Sequence, residues 1–249
     1  MGRVLSHRLQ KAKRKGKQGD MHMKAHEIIK DVFIVGGPEI TDSRDGCVYL
    51  LNFGELVLID TGAGWSVEKI INNINILGFD PKKLAMVLLT HCHIDHIGGA
   101  PEIKKKLGSK LCIHKLDALP LESGDPALTA AQWYQTTFPP TPVDVKFSSS
   151  EEKLSFGDQE VVCLHTPGHT PGSISILIDK DGKRILFAQD IHGPLLGEFG
   201  SNLAEWDQST RKLLDLDADI LCEGHFGVYP TKKQVRDYIR SCRRQYGLN

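Results

Sequence analysis

The sequence lacks the features that mark a membrane protein or a protein of an oxidising compartment. None of its six cysteines forms a CxxC pair, no apolar run approaches 18 residues, and no secretory signal is evident. These absences argue against a transmembrane span and against a disulfide framework. We therefore predict reduced thiols in a cytoplasmic protein without membrane contacts.

Net charge is also absent, but the charges are unevenly distributed. Lys plus Arg and Asp plus Glu each number 31 in 249 residues. Seven of the basic residues fall within residues 1–20 beside a single acid, Asp20, so the rest of the chain has 24 basic and 30 acidic residues. A mildly acidic body has no general attraction for nucleic acid, and we expect no nucleic-acid partner.

The chain is predicted to consist of a tail and one domain. Residues 1–23 show no helical or strand periodicity and indicate a basic tail, either native or added for expression. Residues 24–249 are long enough for one large core. In that domain, β-branched runs alternate with Gly, Asp and Asn clusters, and helices are expected over residues 65–77, 100–107 and after Thr231.

The densest chemical signal is the segment His-Cys-His-Ile-Asp-His at residues 91–96, directly after the apolar run 84–89. Three imidazoles and a carboxylate this close together repel one another when they carry like charges and need partners when buried. Their nitrogen and oxygen atoms suit Zn²⁺, and also iron, manganese or cobalt. The segment therefore predicts a metal site, with Cys92 packed on the opposite face.

Four other segments repeat the order of an apolar strand followed by a polar residue. They lead to Asp60, His169, Asp190 and His225. An isolated His169 or His225 would more often be an ordinary hydrogen-bonded histidine than a ligand. Polar residues that follow several strands instead favour a site along one sheet edge.

Taken in order, these residues resemble the five sequence motifs of the metallo-β-lactamase superfamily, over roughly residues 32–228. The resemblance implies an α+β fold, a four-layer αβ/βα sandwich with two mixed sheets and helices outside. It also implies two divalent metal ions, zinc by default with iron or manganese as alternatives. The implied ligands are His91, His93 and His169 on the first metal, Asp95, His96 and His225 on the second, and Asp190 on both.

The implied reaction is hydrolysis by a hydroxide that bridges the two metal ions. Such a site keeps about one net positive charge and favours an anionic group or a polarised carbonyl. Asp95 and Asp190 are the expected catalytic residues, with Asp95 orienting the water and moving its proton. Asp60 resembles the residue that braces the ligand loop through hydrogen bonds.

Differences from the motifs of particular subfamilies narrow the range of possible substrates. Asp190 stands where true metallo-β-lactamases carry Cys or Ser, and the tyrosine that lactonases place after the bridging aspartate is absent. The ligand set resembles those of glyoxalase II and the lactonases, which favours an ester, thioester or lactone as a small-molecule substrate. The alternatives are a phosphodiester hydrolase on the same site and a di-iron redox protein on the same scaffold.

The sequence leaves two alternative roles for each of two further features. The aromatic, proline-rich stretch 120–143 is expected either to line the substrate site or to pack on the sheet as a surface helix. His192, two residues after Asp190, is expected either to reach the substrate or to be a solvent-exposed loop histidine.

Overall fold

The computed structural model describes residues 23–248, and the first of its two sheets has seven strands. In spatial order they are β1 (His26–Ile29), β2 (Val32–Gly36), β3 (Val48–Asn52), β4 (Leu56–Ile59), β5 (Leu84–Leu88), β6 (Lys110–His114) and β7 (Val145–Phe147). Neighbours from β1 to β4 are antiparallel, and neighbours from β4 to β7 are parallel. Parallel neighbours need crossover connections. The helices α1 (Val67–Ile76), α2 (Ile94–Ile97), α3 (Ala100–Leu107) and α4 (Lys115–Ser123) lie in those connections.

The second sheet has six strands and is also mixed. Its strands are β8 (Glu151–Phe156), β9 (Gln159–His165), β10 (Ile174–Lys180), β11 (Lys183–Ala188), β12 (Ile220–Glu223) and β13 (Val228–Tyr229). Only β11 and β12 pair in parallel, and α5 (Leu203–Asp215) connects them. The last helix, α6 (Lys232–Gln245), follows β13.

Three apolar cores separate four layers. Along β2 the side chains alternate, so that Val32 and Ile34 enter the core between the sheets while Phe33 and Val35 enter the core beneath α1 and α3. A third core packs α5 and α6 on the outer face of the second sheet. Because both faces of the strands are buried, their sequences read as continuous apolar runs. This architecture confirms the predicted αβ/βα sandwich.

Local predictions hold with small shifts at the boundaries. The helix expected over 65–77 spans Val67–Ile76, and the Thr231 hydroxyl accepts a hydrogen bond from the Gln234 amide at the start of α6. All six cysteines are unpaired and buried, and Cys92 packs in the helix-side core as expected.

Two predictions concern the chain as a whole. Among residues 23–248, no helix combines the length and apolar character needed to cross a membrane. The predicted tail lies outside the described residues apart from Met23, and the assignment of residues 24–249 to one domain stays a prediction.

Candidate metal centre

Five strands deliver the predicted site residues to one edge of the sandwich. Asp60 directly follows β4, the segment 91–96 follows β5, and His169, Asp190 and His225 follow β9, β11 and β12. β4 and β5 are parallel neighbours, and the pairings of the second sheet make β9, β11 and β12 run in one direction. The polar residues that follow these strands therefore meet.

The first cluster consists of His91, His93, His169 and Asp190, whose donor atoms all lie within 4.8 Å of one another. Asp190 Oδ2 is 3.8 Å from His91 Nε2 and 3.6 Å from His169 Nε2. His93 Nδ1 lies 2.9 Å from His169 Nε2. All four side chains are buried, so the cluster is a concentrated, water-poor set of donors.

The second cluster consists of Asp95, His96, Asp190 and His225, within the same mutual distance. Asp190 Oδ1 is 3.2 Å from both His96 Nε2 and His225 Nε2, and Asp95 Oδ2 is 3.3 Å from His225 Nε2. Asp190 thus presents a different carboxylate oxygen to each cluster. The structure brings all seven predicted ligands together, with Asp190 in the position expected of a bridge.

Hydrogen bonds to the far nitrogens orient three of the rings. The Thr90 hydroxyl donates to Asp60 Oδ2 (2.8 Å), so its contact with His91 Nδ1 (3.1 Å) requires that His91 donates. His96 Nδ1 donates to Asp60 Oδ2, and His169 Nδ1 donates to the Pro194 carbonyl. In the neutral form, each of these rings therefore turns an Nε2 lone pair toward the clusters, as metal-binding histidines do.

Burial keeps the histidines of the first cluster neutral. It lowers the pKa of His91 well below its usual value, that of His93 to about 3 and that of His169 to about 4. Burial disfavours the charged imidazolium, and the neighbouring imidazoles add to the effect at His91. Neutral imidazole is the form that binds a metal ion.

In the second cluster, the carboxylates outweigh burial, and the pKa values of the histidines are raised instead of lowered. Burial opposes protonation of His96 and His225, but the carboxylates of Asp190 and Asp95 outweigh it and raise both pKa values. Burial likewise opposes ionisation of Asp95, yet the two histidines hold its pKa at about 2. A metal ion that binds here has to displace these protons.

A family model described as the metallo-beta-lactamase superfamily matches residues 45–225, a span that contains both clusters and Asp60. The chain belongs to the metallo-β-lactamase superfamily. The resemblance noted from the motif order is therefore confirmed.

Individual relatives of this superfamily member are hydrolases. The chain is 27% identical over 206 residues to an acyl-coenzyme A thioesterase of Gallus gallus, covering 72% of each protein. It is 29% identical over 195 residues to a hydroxyacylglutathione hydrolase of Haemophilus influenzae, covering 72% of this chain and 83% of the relative. A class B3 di-zinc metallo-β-lactamase from an Alaskan soil metagenome superposes with a TM-score of 0.76 at 26% identity, covering 91% and 95% of the two chains. The chain is a metal-dependent hydrolase.

The superfamily binds divalent metal ions, typically zinc, and the residues of this hydrolase fit them. Within residues 23–248, the buried atoms His91 Nε2 and His93 Nε2 have no hydrogen-bond partner. Buried polar atoms are nearly always paired, so these atoms require something further to contact. Gly224 keeps the space open, because a Cβ atom there would collide with Asp190 Oδ1.

Asp60 braces the site as the resemblance implied. Its fully buried carboxylate accepts hydrogen bonds from the Thr90 amide and hydroxyl, from His96 Nδ1 and from Gln189 Nε2. The sequence reasoning did not identify Gln189, although it directly precedes Asp190. Asp60 and Asp190 both have positive φ angles, of 59° and 54°, a conformation that Asp tolerates better than most residues.

Sequence reasoning missed two buried carboxylates near the site, Asp117 and Glu223. Glu223 accepts hydrogen bonds from His192 Nδ1 (2.8 Å) and from the His225 amide (2.7 Å). Its position in a buried strand, two residues before a ligand, was an available signal. Asp117 lies in the first turn of α4, where an acidic residue is common for reasons of helix electrostatics, so its sequence context carried no such signal.

His192 lies beside the second cluster. Its ring centroid is 5.4 Å from that of His225 and 5.0 Å from that of Phe226. The ring is half-buried, in contrast to the exposed loop histidine that was one expectation. Since Nδ1 contacts Glu223, Nε2 is the nitrogen left for another partner.

The stretch 120–143 divides into two parts. At residues 131–134 a short 3-10 helix reaches the site, where the Trp133 ring lies 5.1 Å from that of Phe199, which in turn lies 4.4 Å from that of His93. Tyr134 stacks on Trp65, and burial followed by the charge of Asp95 raises the pKa of its hydroxyl. Phe138 instead lies in the helix-side core, so the packing expectation applies there.

An apolar cavity lies beside His225, which forms part of its lining. Its volume is about 340 Å³. It is lined by the loop after β2 and the residues after His225, including Ile34, Pro38, Ile40, Cys47, Phe226 and Val228. Apolar surface therefore borders each cluster, at Phe199 beside His93 and in the cavity beside His225.

Proposed function

We propose that this hydrolase binds two divalent metal ions and cleaves an ester, a thioester or a lactone. The observation that carries the proposal is the position of Asp190, whose Oδ2 faces the first cluster and whose Oδ1 faces the second. The proposed ligands are His91, His93 and His169 for the first ion, Asp95, His96 and His225 for the second, and Asp190 for both. Zinc is the proposed occupant because imidazole nitrogens dominate the donor set.

We propose the following roles in hydrolysis for the residues of the site. Two divalent cations held by these residues would polarise a scissile carbonyl and lower the pKa of a water molecule to about 7. We propose that the Asp95 carboxylate orients this water and accepts its proton. Asp190 sets the spacing of the two clusters. When the His192 ring is protonated, a form that Glu223 favours, its Nε2 can donate a proton to the departing group.

A thioester is the preferred substrate within this class. The two relatives described above are named for acyl-coenzyme A and for hydroxyacylglutathione, both of which are acyl thioesters. Apolar surface around Trp133 and Phe199 on one side, and the cavity beside His225 on the other, suits an acyl group. A small molecule that carries an activated acyl group would satisfy both observations.

We expect the purified protein to contain about two equivalents of a divalent transition metal per chain, mainly zinc, because two separate donor clusters are present. Elemental analysis of protein prepared without chelators, and again after reconstitution with Zn²⁺, measures this content. Less than one equivalent of every transition metal after reconstitution would contradict the two-metal proposal.

The same elemental analysis distinguishes a zinc hydrolase from the alternative of a di-iron redox protein. A preparation dominated by iron, with a visible absorption band, would favour a di-iron redox protein over a hydrolase with the proposed reaction. A colourless zinc protein would exclude that reading and leave the substrate class to the assay below.

Trp133→Ala and Tyr134→Ala are expected to change the relative kcat/KM for thioester and lactone substrates by roughly 10-fold, because the Trp133 ring packs on Phe199 beside His93 and the Tyr134 hydroxyl lies near Asp95. The assay compares thioesters of increasing acyl length with simple esters, lactones, β-lactams and phosphodiesters. Metal content is measured in parallel, so that a loss of metal is not read as a change of preference.

Ile76→Ala serves as the matched control, since Ile76 is an apolar residue at the end of α1 with 70% of its surface exposed. Its substrate ratios should equal those of the wild type. Identical ratios of kcat/KM in all three variants would mean that residues 131–134 only pack against the fold and do not select the substrate. Cleavage of phosphodiesters alone would replace the proposed acyl substrate with the phosphodiester alternative.

A further inference from the structure

Asp117 connects two ligand loops that are distant in sequence. Its buried carboxylate accepts a hydrogen bond from the Cys92 amide at Oδ2 (2.9 Å), another from the Thr170 hydroxyl at Oδ2 (2.6 Å) and a third from the Gly172 amide at Oδ1 (2.6 Å). Cys92 lies between His91 and His93, and Thr170 directly follows His169. Two of the three partners, Cys92 and Thr170, are thus direct chain neighbours of the three histidines of the first cluster.

All three partners of Asp117 are donors. Two are backbone amides, which only donate, and the Thr170 hydroxyl also donates to Asp117. A carboxylate satisfies them all, whereas the amide of asparagine would turn an NH₂ group toward at least one N–H or O–H donor. The packing is close as well, since a Cβ atom on Gly172 would collide with the Asp117 side chain.

The second cluster does not depend on Asp117 in this way. Its His96 is held directly by Asp60, and the His225 amide is held by Glu223. Within the described residues, the three hydrogen bonds of Asp117 reach neither a proposed ligand of the second ion nor a direct chain neighbour of one. Asp117 therefore braces the first cluster alone, whereas Asp60 contacts both clusters, through Thr90 beside His91 and through His96.

We infer that Asp117 is a positioning residue for the first metal ion: it holds the 91–93 loop and the 169–172 loop at the separation that three-histidine coordination requires. This inference uses the ligand assignment of the proposed function but is independent of the substrate class. Residues that orient metal ligands through hydrogen bonds typically contribute 10- to 100-fold to metal affinity, about the effect expected here.

The test measures each cluster separately by titrating metal-free protein with Co²⁺ and following its visible absorption. A His225→Ala background removes a ligand of the second ion, and a His93→Ala background removes a ligand of the first. Asp117→Asn is expected to weaken Co²⁺ binding about 10- to 100-fold in the His225→Ala background and by no more than about 2-fold in the His93→Ala background.

Two further variants separate positioning from general loosening of the fold. Thr170→Val removes one of the three hydrogen bonds and should weaken the first cluster in the same direction by a smaller factor. Asp45→Asn is the control, because Asp45 is also buried and accepts from Thr41, Ser66 and Ala63, none of them a ligand or a direct neighbour of one. It should lower the Tm of the metal-free protein and leave Co²⁺ affinity in the His225→Ala background unchanged.

The outcomes are distinct. Unchanged affinity of Asp117→Asn in the His225→Ala background, or equal weakening in both backgrounds, would overturn the inference. Weakening by Asp45→Asn as large as that by Asp117→Asn would do the same. If neither background binds Co²⁺ before Asp117 is changed, the ligand assignment itself is wrong, whereas failure of the thioester assay alone leaves the role of Asp117 intact.

Discussion

Replacement of Asp190 by alanine is expected to lower kcat/KM by at least about 10³-fold and to reduce bound metal from about two equivalents to about one or fewer. Asp190 is the only residue that belongs to both donor clusters found within residues 23–248, so each cluster loses an anionic ligand in this variant. The second cluster keeps Asp95 alone to offset a divalent charge. Steady-state kinetics and elemental analysis of the same preparation measure the two effects.

Two companion variants make the result specific. Asp190→Asn keeps the shape and tolerates the positive φ of 54°, so a loss of metal in this variant reports on the missing carboxylate charge and not on backbone strain. Asp158→Ala, at an exposed turn between β8 and β9, should match the wild type in both measurements. Wild-type metal content and turnover in Asp190→Ala would refute the bridging role.

Asp60→Ala is expected to lower the free energy of unfolding by about 3–5 kcal/mol even in the metal-free protein. The carboxylate accepts four hydrogen bonds from buried donors, and alanine would remove all four of them. His96 would also lose the contact that orients its ring, so metal content should fall as well. Urea denaturation followed by fluorescence, with and without Zn²⁺, checks the prediction.

A control is needed because Asp60 has a φ angle of 59°, which alanine adopts with strain. Asp181 has a φ of 50° in the exposed turn between β10 and β11, so Asp181→Ala measures the backbone cost alone, about 1–2 kcal/mol. A loss in Asp60→Ala no larger than that in Asp181→Ala would show that the hydrogen bonds of Asp60 do not stabilise the fold.

The three buried carboxylates Asp60, Asp117 and Glu223 support the proposed metal ligands in the same way. Each accepts hydrogen bonds from backbone amides or side chains adjacent to a proposed ligand. A metal site built on loops needs such support, because loops alone do not hold donor atoms to the tolerance that coordination demands. The distribution of these braces explains why the two clusters can respond differently to a single substitution.

Much of this arrangement was predictable because it is local. Alternation in β2 places Val32 and Phe33 on opposite faces, and the apolar runs before Asp60, Asp190 and His225 place those residues at strand ends. The segment 91–96 carries four donors within six positions, so its chemistry is evident without any distant partner. The capping residue Thr231 at the start of the last helix depends only on neighbouring residues.

Other features depended on contacts that no local pattern encodes. Trp133 and Phe138 lie five residues apart in one aromatic stretch, yet one contacts the site wall and the other is buried in the core. Their separation is decided by left-handed backbone at Ala130 and Gln135, on either side of the 3-10 helix, which redirects the chain. Neither residue is Gly or Asn, so the sequence carried no turn signal there.

By itself, the sequence determined which donor types this hydrolase has and which strands they follow, because strand periodicity and donor chemistry are properties of short segments. The packing of the two sheets decided that Asp190 turns one oxygen to each cluster and that Asp117 reaches Thr170, 53 residues away. It also decided that His96 and His169 turn Nε2 toward the clusters, since their Nδ1 atoms donate to Asp60 and to the Pro194 carbonyl. Such contacts form only when distant segments are brought together by the burial of a common core, and their geometry is therefore a property of the tertiary structure.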